Sequence, residues 1–569
     1  MSTTEPEKAV QKEVEIKKEG EEEQEADDFS DCLRYNVETQ TYSLILRWRP
    51  LSQLEMIGLA VQLSKKGLII DTLDIGQTNF DSRGIVGLSN ILRTNQVLAN
   101  LDMGHNELGV VGAQRFAECL KSNTSLEYVN LEWNKIGTDG LIAIVNGLKS
   151  NAKSSLKILD VHCNQIEAPG AIALAEYLST NPELTNANIR FNPIGDRGGK
   201  AIAEALGHNT HIEAIDMARC QIGDETMEAL RDAFKSLAAM KENRRLGSSS
   251  SASASASASA SASSTALSSA SSDKSEFPSE HPLVAIMLES NDMTPKGLKA
   301  LAVGLIDGAD YVRPTQMSLH AAKFIAKMGP EPCVDGLKML GVYLSMKNSS
   351  LVTLDLGGCN IEDAGIIALM GALEAAPTLE NLYLEKNKLT NISAENLRDA
   401  LKTNKMLKEI DLHQNRITDE GITKLIVLLS ENAVLRLIDV RRNPLSTRFN
   451  PQTWRNENCP KARMTALLWE DRREGISSEE VEESSKRTMF DPTPRKIAAA
   501  RELPPLKPSI SKEASSSSLS SSQLPRATPK TTTQEPFNLS TSNFVAHEPV
   551  PKPKPKPEKL TLDWVPTYK

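Results

Sequence analysis

The stretch Leu126-Glu-Tyr-Val-Asn-Leu-Glu-Trp-Asn-Lys-Ile136 decides the fold of this chain. Its apolar residues alternate around Val129 and Leu131, and period two is typical of a β-strand with one buried face. Asn134 then ends the strand, because its side chain can bond turn backbone groups that have no ladder partner. From Gly140 onward the apolar residues form one helical stripe, at Leu141, Ile144, Val145 and Leu148. One strand, one turn and one helix therefore occupy 28 residues.

The same unit recurs through most of the chain. Its strands are predicted to begin at Ile70, Leu98, Leu126, Leu156, Leu184, Ile212, Leu283, Leu351, Leu379, Leu407 and Leu435. Most units carry Asn where Asn134 stands, and Thr78, Cys220 and Cys359 are tolerated variants at that position. A degenerate unit with Met317 and Leu319 fills the long interval before Leu351. Residues 41–64 read as a degenerate first unit that caps the array, with Arg47 and Trp48.

This pattern resembles the ribonuclease-inhibitor class of leucine-rich repeats, whose period is 28 to 29 residues. The resemblance covers roughly residues 41–473. It implies an α/β fold in the form of a right-handed solenoid, or horseshoe. The parallel sheet would line the concave face and the helices the convex face. The resemblance is specific for the fold and leaves the function open.

Composition divides the chain into five segments. They are a disordered acidic N-terminus (1–30), a first block of repeats with its cap (31–242), a disordered Ser/Ala-rich insert (243–280), a second capped block (281–473) and a disordered Ser/Pro/Lys-rich tail (474–569). Alternating Ser and Ala offer no large side chain to bury, so burial cannot offset the entropy of ordering them. One solenoid interrupted by a loop is the simpler interpretation, and two arrays joined by a linker are the alternative.

The charge balance and the cysteines limit the class of protein. The formal net charge is −9, whereas general nucleic-acid binders are more often basic. The seven Cys are odd in number and scattered, which indicates reduced thiols rather than a disulfide framework. The sequence shows neither a signal peptide nor an apolar run long enough to span a membrane. We therefore expect a cytoplasmic monomer whose partners are proteins, with no nucleic acid and no membrane span.

The sequence offers no catalytic site. Zinc-protease, redox, nucleophile-elbow and phosphate-loop motifs are all absent. His162 and His413 occupy matching repeat positions but lie 251 residues apart, so we predict neither a shared metal nor a catalytic pair. No enzyme activity, cofactor or metal is predicted.

Side chains on the concave face are the candidate partner contacts, because aromatic residues beside Arg are typical of binding hot spots. The first cluster contains Trp133, His162, Arg190, Phe191 and Arg219, and the second contains Tyr383, His413 and Arg441. The alternative is that Trp133 is partly core. A column of Asp and Asn, from Asp74 to Asp439, either presents an acidic ladder to a basic partner or is hydrogen-bonded within the sheet.

Three functions fit these features. The leading hypothesis is a non-catalytic scaffold or regulator that binds a protein, such as a cytoskeletal or signalling protein, on the concave face. A second is a regulatory subunit of protein phosphatase 1, because Lys486, Arg487 and Phe490 resemble its docking motif, with Thr488 where Val or Ile is usual. A third is a GTPase-activating protein for Ran, which shares the repeat class and supplies an Arg. Arg313, assigned to an enlarged loop, is the position of interest there.

Overall fold

The computed structural model describes residues 29–64, 67–254, 281–322, 332–463 and 466–469. Within them the strands are β1 (Leu33–Asn36), β2 (Thr41–Ile45), β3 (Ile70–Asp74), β4 (Asn100–Asp102), β5 (Tyr128–Asn130), β6 (Ile158–Asp160), β7 (Asn186–Asn188), β8 (Ala214–Asp216), β9 (Ala285–Met287), β10 (Gln316–Ser318), β11 (Thr353–Asp355), β12 (Asn381–Tyr383), β13 (Glu409–Asp411), β14 (Leu437–Asp439) and β15 (Leu467–Leu468).

A helix follows each strand from β2 to β14. The helices are α1 (Gln53–Ser64), α2 (Gly84–Leu92), α3 (Gly109–Leu120), α4 (Gly137–Lys149), α5 (Ala168–Leu178), α6 (Gly195–Leu206), α7 (Asp224–Ala254), α8 (Pro295–Gly308), α9 (Pro332–Ser345), α10 (Glu362–Ala375), α11 (Asn391–Leu401), α12 (Asp419–Glu431) and α13 (Pro451–Asn458). No helix in this part of the chain combines the length and the apolar character that a membrane crossing requires.

The fifteen strands form one open sheet in chain order. Only the first pair is antiparallel, with Leu33 opposite Leu44, and the later pairs are parallel. β8 pairs directly with β9, with Ala214 opposite Ala285. The repeats before and after the Ser/Ala-rich insert therefore form a single solenoid, as the simpler interpretation of the sequence holds. Strand β10 and helix α9 are the degenerate unit predicted around Met317.

A buried asparagine joins each repeat to its neighbours. Asn164 is fully buried, and its Nδ2 lies 2.8 Å from the carbonyl oxygen of Leu131 and 3.0 Å from that of Val161. Its Oδ1 accepts the backbone N–H groups of Asn134 and Ile136 at 3.0 and 3.2 Å. The side chain thus satisfies turn groups of two repeats that have no sheet partner. The Nδ2 bond to a carbonyl of the preceding repeat recurs at Asn106, Asn134, Asn192, Asn291, Asn387, Asn415 and Asn443.

The predicted variants keep only half of this bonding. Thr78 donates its hydroxyl to the carbonyl of Ile75 at 2.8 Å. Cys220 and Cys359 donate their thiols to carbonyl oxygens of the preceding repeats at 3.2 and 3.0 Å. The hydroxyl reaches a carbonyl of its own repeat and the thiols reach carbonyls of the preceding repeats, but none of them accepts the two N–H groups as an amide oxygen does. Ala322 holds the equivalent position after β10 and has no polar side-chain atom at all.

Close packing between successive helices explains why glycine stands six residues after the Asn. A Cβ at Gly140 would lie 2.9 Å from the Cβ of Ala113 on the preceding helix. A missing side chain therefore lets successive helices approach closely above a core of strand and helix leucines. Leu131, Leu141 and Leu148 belong to that core and are almost completely buried.

The ends of the solenoid differ in part from the predictions. Residues 29–36 form a short helical turn and the edge strand β1, which the sequence did not indicate, and Phe29 is buried there. Helix α7 continues to Ala254, beyond the boundary predicted at 242. At the C-terminal end, Leu467 extends the sheet as part of β15, opposite Ile438.

Replacing one ladder asparagine tests its contribution. Asn164→Ala leaves two buried N–H groups without partners and removes one donor from each of the carbonyls of Leu131 and Val161, so we expect the free energy of unfolding to fall by about 3 kcal/mol or more. Asn164→Cys restores a donor, as Cys220 does, and should cost clearly less. Urea unfolding followed by circular dichroism measures both, and equal losses would contradict the assigned bonding.

Candidate functional site

The face of the sheet opposite the helices is defined by two positions that follow each strand. We name them positions seven and eight, so that Glu132 and Trp133 are positions seven and eight of the β5 repeat. Position eight has a positive φ in every repeat from β3 to β14, between +52° at Trp133 and +65° at Gly358. Its N–H donates to the position-seven carbonyl of the next repeat, for example from Trp133 to His162 at 3.1 Å. This geometry directs position-eight side chains outward along one edge of the sheet.

The Asp and Asn column lies two residues before position seven, and most of its side chains accept hydrogen bonds from the backbone of the turns. Asp160 Oδ1 accepts the N–H of His162 at 3.0 Å, and Asp216 Oδ1 accepts that of Ala218 at 2.8 Å. The same bond recurs in most repeats. Asn188 also donates to Asp160 across the strands at 2.8 Å. These contacts favour the interpretation that the column is hydrogen-bonded within the sheet.

Position seven of the first half forms an internal charge network. His162 Nε2 lies 2.9 Å from Glu132 Oε2, and His162 Nδ1 lies 2.7 Å from Asp160 Oδ1. Gly104, at position seven of the preceding repeat, makes room for Glu132, because a Cβ there would lie 2.7 Å from its Cγ. The imidazole is therefore held between two carboxylates from two neighbouring strands.

These contacts shift the pKa values of both His162 and Glu132. Burial alone would lower the pKa of His162, but the charge of Asp160 and the hydrogen bonds to Asp160 and Glu132 outweigh it and raise that pKa to about 10. Burial opposes ionisation of Glu132 too, yet its bond to His162 and the imidazolium charge lower its pKa to about 2. Both side chains are ionised at neutral pH.

Arg190 continues the network on the next strand. Its guanidinium lies 2.7 Å from Glu289 and 3.8 Å from Asp216, and these charges raise its pKa although burial opposes them. That His162 and Arg190 contact a partner stays a prediction. Their charges are already paired inside the sheet, since neighbouring strands bring opposite charges about 4.8 Å apart.

Position eight carries the accessible groups. Trp133 is 38% exposed and stacks on His105, with ring centroids 5.7 Å apart. Phe191 lies under two guanidinium groups, with Arg190 at 5.4 Å and Arg219 at 4.5 Å from its ring centroid. Arg219 is exposed, and within the part of the chain that the structure describes no carboxylate lies within ion-pair distance of it. The exposed fraction of Trp133 shows that it is half-exposed and is not a core residue.

We call Trp133, Cys163, Phe191 and Arg219 the position-eight row. They come from four successive strands, β5 to β8. Burial raises the pKa of the Cys163 thiol to about 12, so it is uncharged in this row. The row combines two aromatic rings, a neutral thiol and one unpaired cation, and it lies beside the ion-paired position-seven residues Glu132, His162 and Arg190.

The second half repeats the order of position seven. Gly104, Glu132, His162 and Arg190 correspond to Gly357, Glu385, His413 and Arg441. His413 Nδ1 lies 2.8 Å from Asp411, and Arg441 binds Asp439 at 2.6 Å. Tyr383 is half-buried on β12. That His413 and Arg441 contact a partner stays a prediction, as for His162, and their charges are paired with carboxylates of the sheet. The two clusters are separate, since β5 to β8 and β12 to β14 lie apart in the strand order.

Sequence reasoning missed two histidines. His105 supports Trp133, and His320 lies 2.9 Å from Glu385 and 3.4 Å from Asp355. Hydrogen bonds to Asp355 and Glu385 raise the pKa of His320 to about 10. His105 occupies position eight of its repeat and His320 occupies position seven, so a comparison of every repeat at these two positions would have found them.

Two predicted features do not enter the described site. Lys486, Arg487 and Phe490 lie outside the described residues, so the phosphatase docking motif stays a prediction. Arg313 does not lie in the enlarged loop after β10 as predicted. It lies between α8 and β10 and is half-buried.

Comparisons with known proteins agree with the fold. A family profile described as "Leucine Rich repeat" matches residues 122–145, 152–175, 182–203, 208–230, 347–370 and 403–425. These matches and the open parallel sheet support a leucine-rich-repeat solenoid as the fold of the chain. No curated protein matches it. The repeats and their open sheet face support a protein–protein interaction scaffold.

Solved structures give weaker similarity. A chain of the Rad7 and Elc1 complex in yeast is 11% identical with a TM-score of 0.37, covering 83% of this chain and 99% of that chain. An internalin (inlF) from Listeria monocytogenes is 12% identical with a TM-score of 0.34, covering 72% of this chain and 83% of that chain. Leiomodin-1 actin-binding site 2 is 22% identical with a TM-score of 0.20, covering 25% of this chain and 80% of that chain. Such scores support no inference about a partner.

The His162 network predicts a pH dependence of stability. The folded pKa of His162 is above its ordinary 6.5, so its contribution is complete below pH 6.5 and is lost as pH rises through 10. The folded pKa of Glu132 is below its ordinary 4.5, so that contribution is present above pH 4.5 and is lost toward pH 2. We expect wild-type protein to lose more stability than His162→Gln between pH 6.5 and 10. Parallel curves from urea titrations at each pH would contradict the pairing.

Two neighbouring residues that follow β5 predict losses of stability of very different size. Leu131→Ala should lower the free energy of unfolding by about 2–5 kcal/mol, since Leu131 is fully buried. Trp133→Gly should cost far less, because the ring is half-exposed and glycine adopts a φ of +52° without strain. Thermal and urea unfolding measure both variants, and equal losses would show that Trp133 is core.

Proposed function

We propose that this protein is a non-catalytic scaffold or regulator that binds a protein partner through the position-eight row. The observation that carries this proposal is Arg219. It is an exposed cation stacked on Phe191, whereas the position-seven charges beside it are paired internally. Half-exposed Trp133 stands three strands away in the same row. Exposed Trp and Arg are the residue types in which binding energy concentrates.

The chemistry of the row defines the partner. Arg219 needs a carboxylate or another anionic group, and the neighbouring Phe191, Cys163 and Trp133 offer apolar and aromatic surface. We therefore propose a partner segment in which an acidic side chain is followed by an aromatic or large aliphatic side chain. Repulsion from Arg190 and burial lower the pKa of Arg219, so an acidic partner relieves a repulsion that is present in the free protein.

The repeat subclass is part of the same proposal. Ladder asparagines lie 28 residues apart at Asn387 and Asn415, as in the ribonuclease-inhibitor class. A reducing, cytoplasmic location is also proposed. It is supported by the six described cysteines, all of which are free thiols.

A matched pair of double variants tests the row. Trp133→Ala with Arg219→Glu removes the aromatic anchor and reverses the unpaired charge. The control, Gln414→Ala with Lys386→Glu, makes the same charge change at exposed position-eight sites on β13 and β12. Partners captured by full-length wild-type protein are identified by mass spectrometry, and their affinities are then measured with each variant, after circular dichroism has shown equal folding.

We expect the row variant to weaken the affinity for the principal partner at least about 30-fold, as the loss of one hot-spot residue does. The control should bind as wild type does. Wild-type affinity should also fall as salt rises, because the Arg219 contact is exposed to screening. Unchanged binding by the row variant, or a loss confined to the control, would place the interface elsewhere and contradict the proposal.

A further inference from the structure

Three side chains from adjacent strands converge on one point of the second half. They are His320 after β10, Asp355 at the end of β11 and Glu385 after β12. His320 Nδ1 lies 2.9 Å from Glu385 Oε1 and 3.4 Å from Asp355 Oδ1. One nitrogen or oxygen atom from each residue lies within 4.8 Å of the other two. An imidazole and two carboxylates thus occupy one small volume.

These distances are close to those around a bound zinc ion. Zn²⁺ binds imidazole nitrogen at about 2.0–2.1 Å and carboxylate oxygen at about 2.0–2.2 Å. Two donors at a tetrahedral angle around it are then about 3.4 Å apart. The separations of 2.9 and 3.4 Å from His320 Nδ1 need shifts of only a few tenths of an ångström.

A buried oxygen in the cluster lacks a partner. Glu385 is 7% exposed, and among the described residues its Oε2 accepts no hydrogen bond. The carboxylate lies against Gly357, where a Cβ would come within 2.6 Å of Oε2. An unsatisfied buried carboxylate oxygen is costly, so a further positive group is expected to bind it.

The two related clusters in this chain are satisfied without an ion. In the first, His162 bonds to both Glu132 and Asp160, and Asn188 binds the second oxygen of Asp160. In the third, Arg441 binds both oxygens of Asp439 beside His413 and fills that space with a fixed cation. Within the described ranges no Lys or Arg forms an ion pair with Asp355 or Glu385. Among the described residues, the His320 cluster therefore differs from its two counterparts in having a buried carboxylate oxygen without a hydrogen-bond partner.

The cluster also lies where the asparagine ladder fails. Ala322 and Cys359 replace Asn in the two successive repeats of β10 and β11. Ala322 forms no ladder bond, and Cys359 supplies only a thiol donor. His320 and Asp355 belong to those same two repeats, and Glu385 belongs to the next one. An ion bound by all three would join these repeats where the side-chain bonding is weakest.

We propose that His320, Asp355 and Glu385 bind one divalent transition-metal ion of the zinc class and that this ion joins the repeats of β10, β11 and β12. Three protein ligands leave the fourth position to solvent. The ion takes the place of the proton on His320 Nδ1, and the two carboxylates balance its charge. An imidazole ligand favours zinc over Mg²⁺, which requires near-octahedral oxygen coordination.

Titration of the full-length protein tests the site. After chelator treatment, Zn²⁺ is titrated in competition with a zinc-sensitive dye, and Mg²⁺ is titrated separately. We expect one Zn²⁺ per chain, a rise in Tm on binding and no comparable effect of Mg²⁺. Co²⁺ should give visible absorption bands of nitrogen and oxygen ligation. Failure to bind one equivalent of Zn²⁺, or equal binding of Mg²⁺, would overturn the proposal.

The variants separate this site from the related clusters. Asp355→Asn keeps the oxygen that accepts the N–H of Gly357 at 2.8 Å, and Asn stands in the same column at Asn130, so folding is preserved. Asp355→Asn and His320→Gln should each weaken Zn²⁺ binding at least about tenfold and abolish the rise in Tm. His162→Gln, in the satisfied cluster, should retain both. Retained binding in Asp355→Asn and His320→Gln, or a loss in His162→Gln alone, would overturn the assignment.

Discussion

The structure depends on the bonding capacity of a single side-chain amide. A leucine-rich repeat turns from strand to helix within a few residues, and this turn leaves N–H and carbonyl groups buried without sheet partners. Asn164 answers both needs, since its Nδ2 reaches carbonyls of its own and the preceding repeat while its Oδ1 accepts N–H groups from that preceding repeat. Each unsatisfied buried group would cost about 1–3 kcal/mol, so the fold cannot omit many of these bonds.

The spacing that the ladder imposes also determines the chemistry of the open face. Because adjacent repeats stay in register, position-seven side chains of neighbouring strands are held about 4.8 Å apart. Opposite charges at this distance pair with each other before any partner arrives, as Glu132 and His162 do. Glycine at position seven extends the reach across one strand, and Glu385 contacts His320 past Gly357. A charged concave surface in the sequence is consequently a poor guide to what a partner can contact.

The periodic part of the structure could be predicted from the sequence. The strand and helix positions, the continuity of the array across the insert and the variants Thr78, Cys220 and Cys359 all follow from a 28-residue frame with one polar column. The edge strand β1 could not, because residues 33–36 show no repeat period and pair by a hairpin. Candidate residues such as Trp133 and Phe191 follow from composition. The internal pairing of His162 and Arg441 does not, since it depends on which carboxylate lies on the neighbouring strand.

The left-handed turn at position eight does not itself require the large side chains of the position-eight row. Every position eight lies in the left-handed region, where a residue with a Cβ costs about 1–2 kcal/mol relative to glycine. Gly358, Ala321 and Ser290 show that the turn forms with small side chains there. A Trp at +52° and a Phe at +57° are therefore not required by the fold. Their size is a property of these repeats and not of the turn, and both rings belong to the row whose one guanidinium the sheet leaves unpaired.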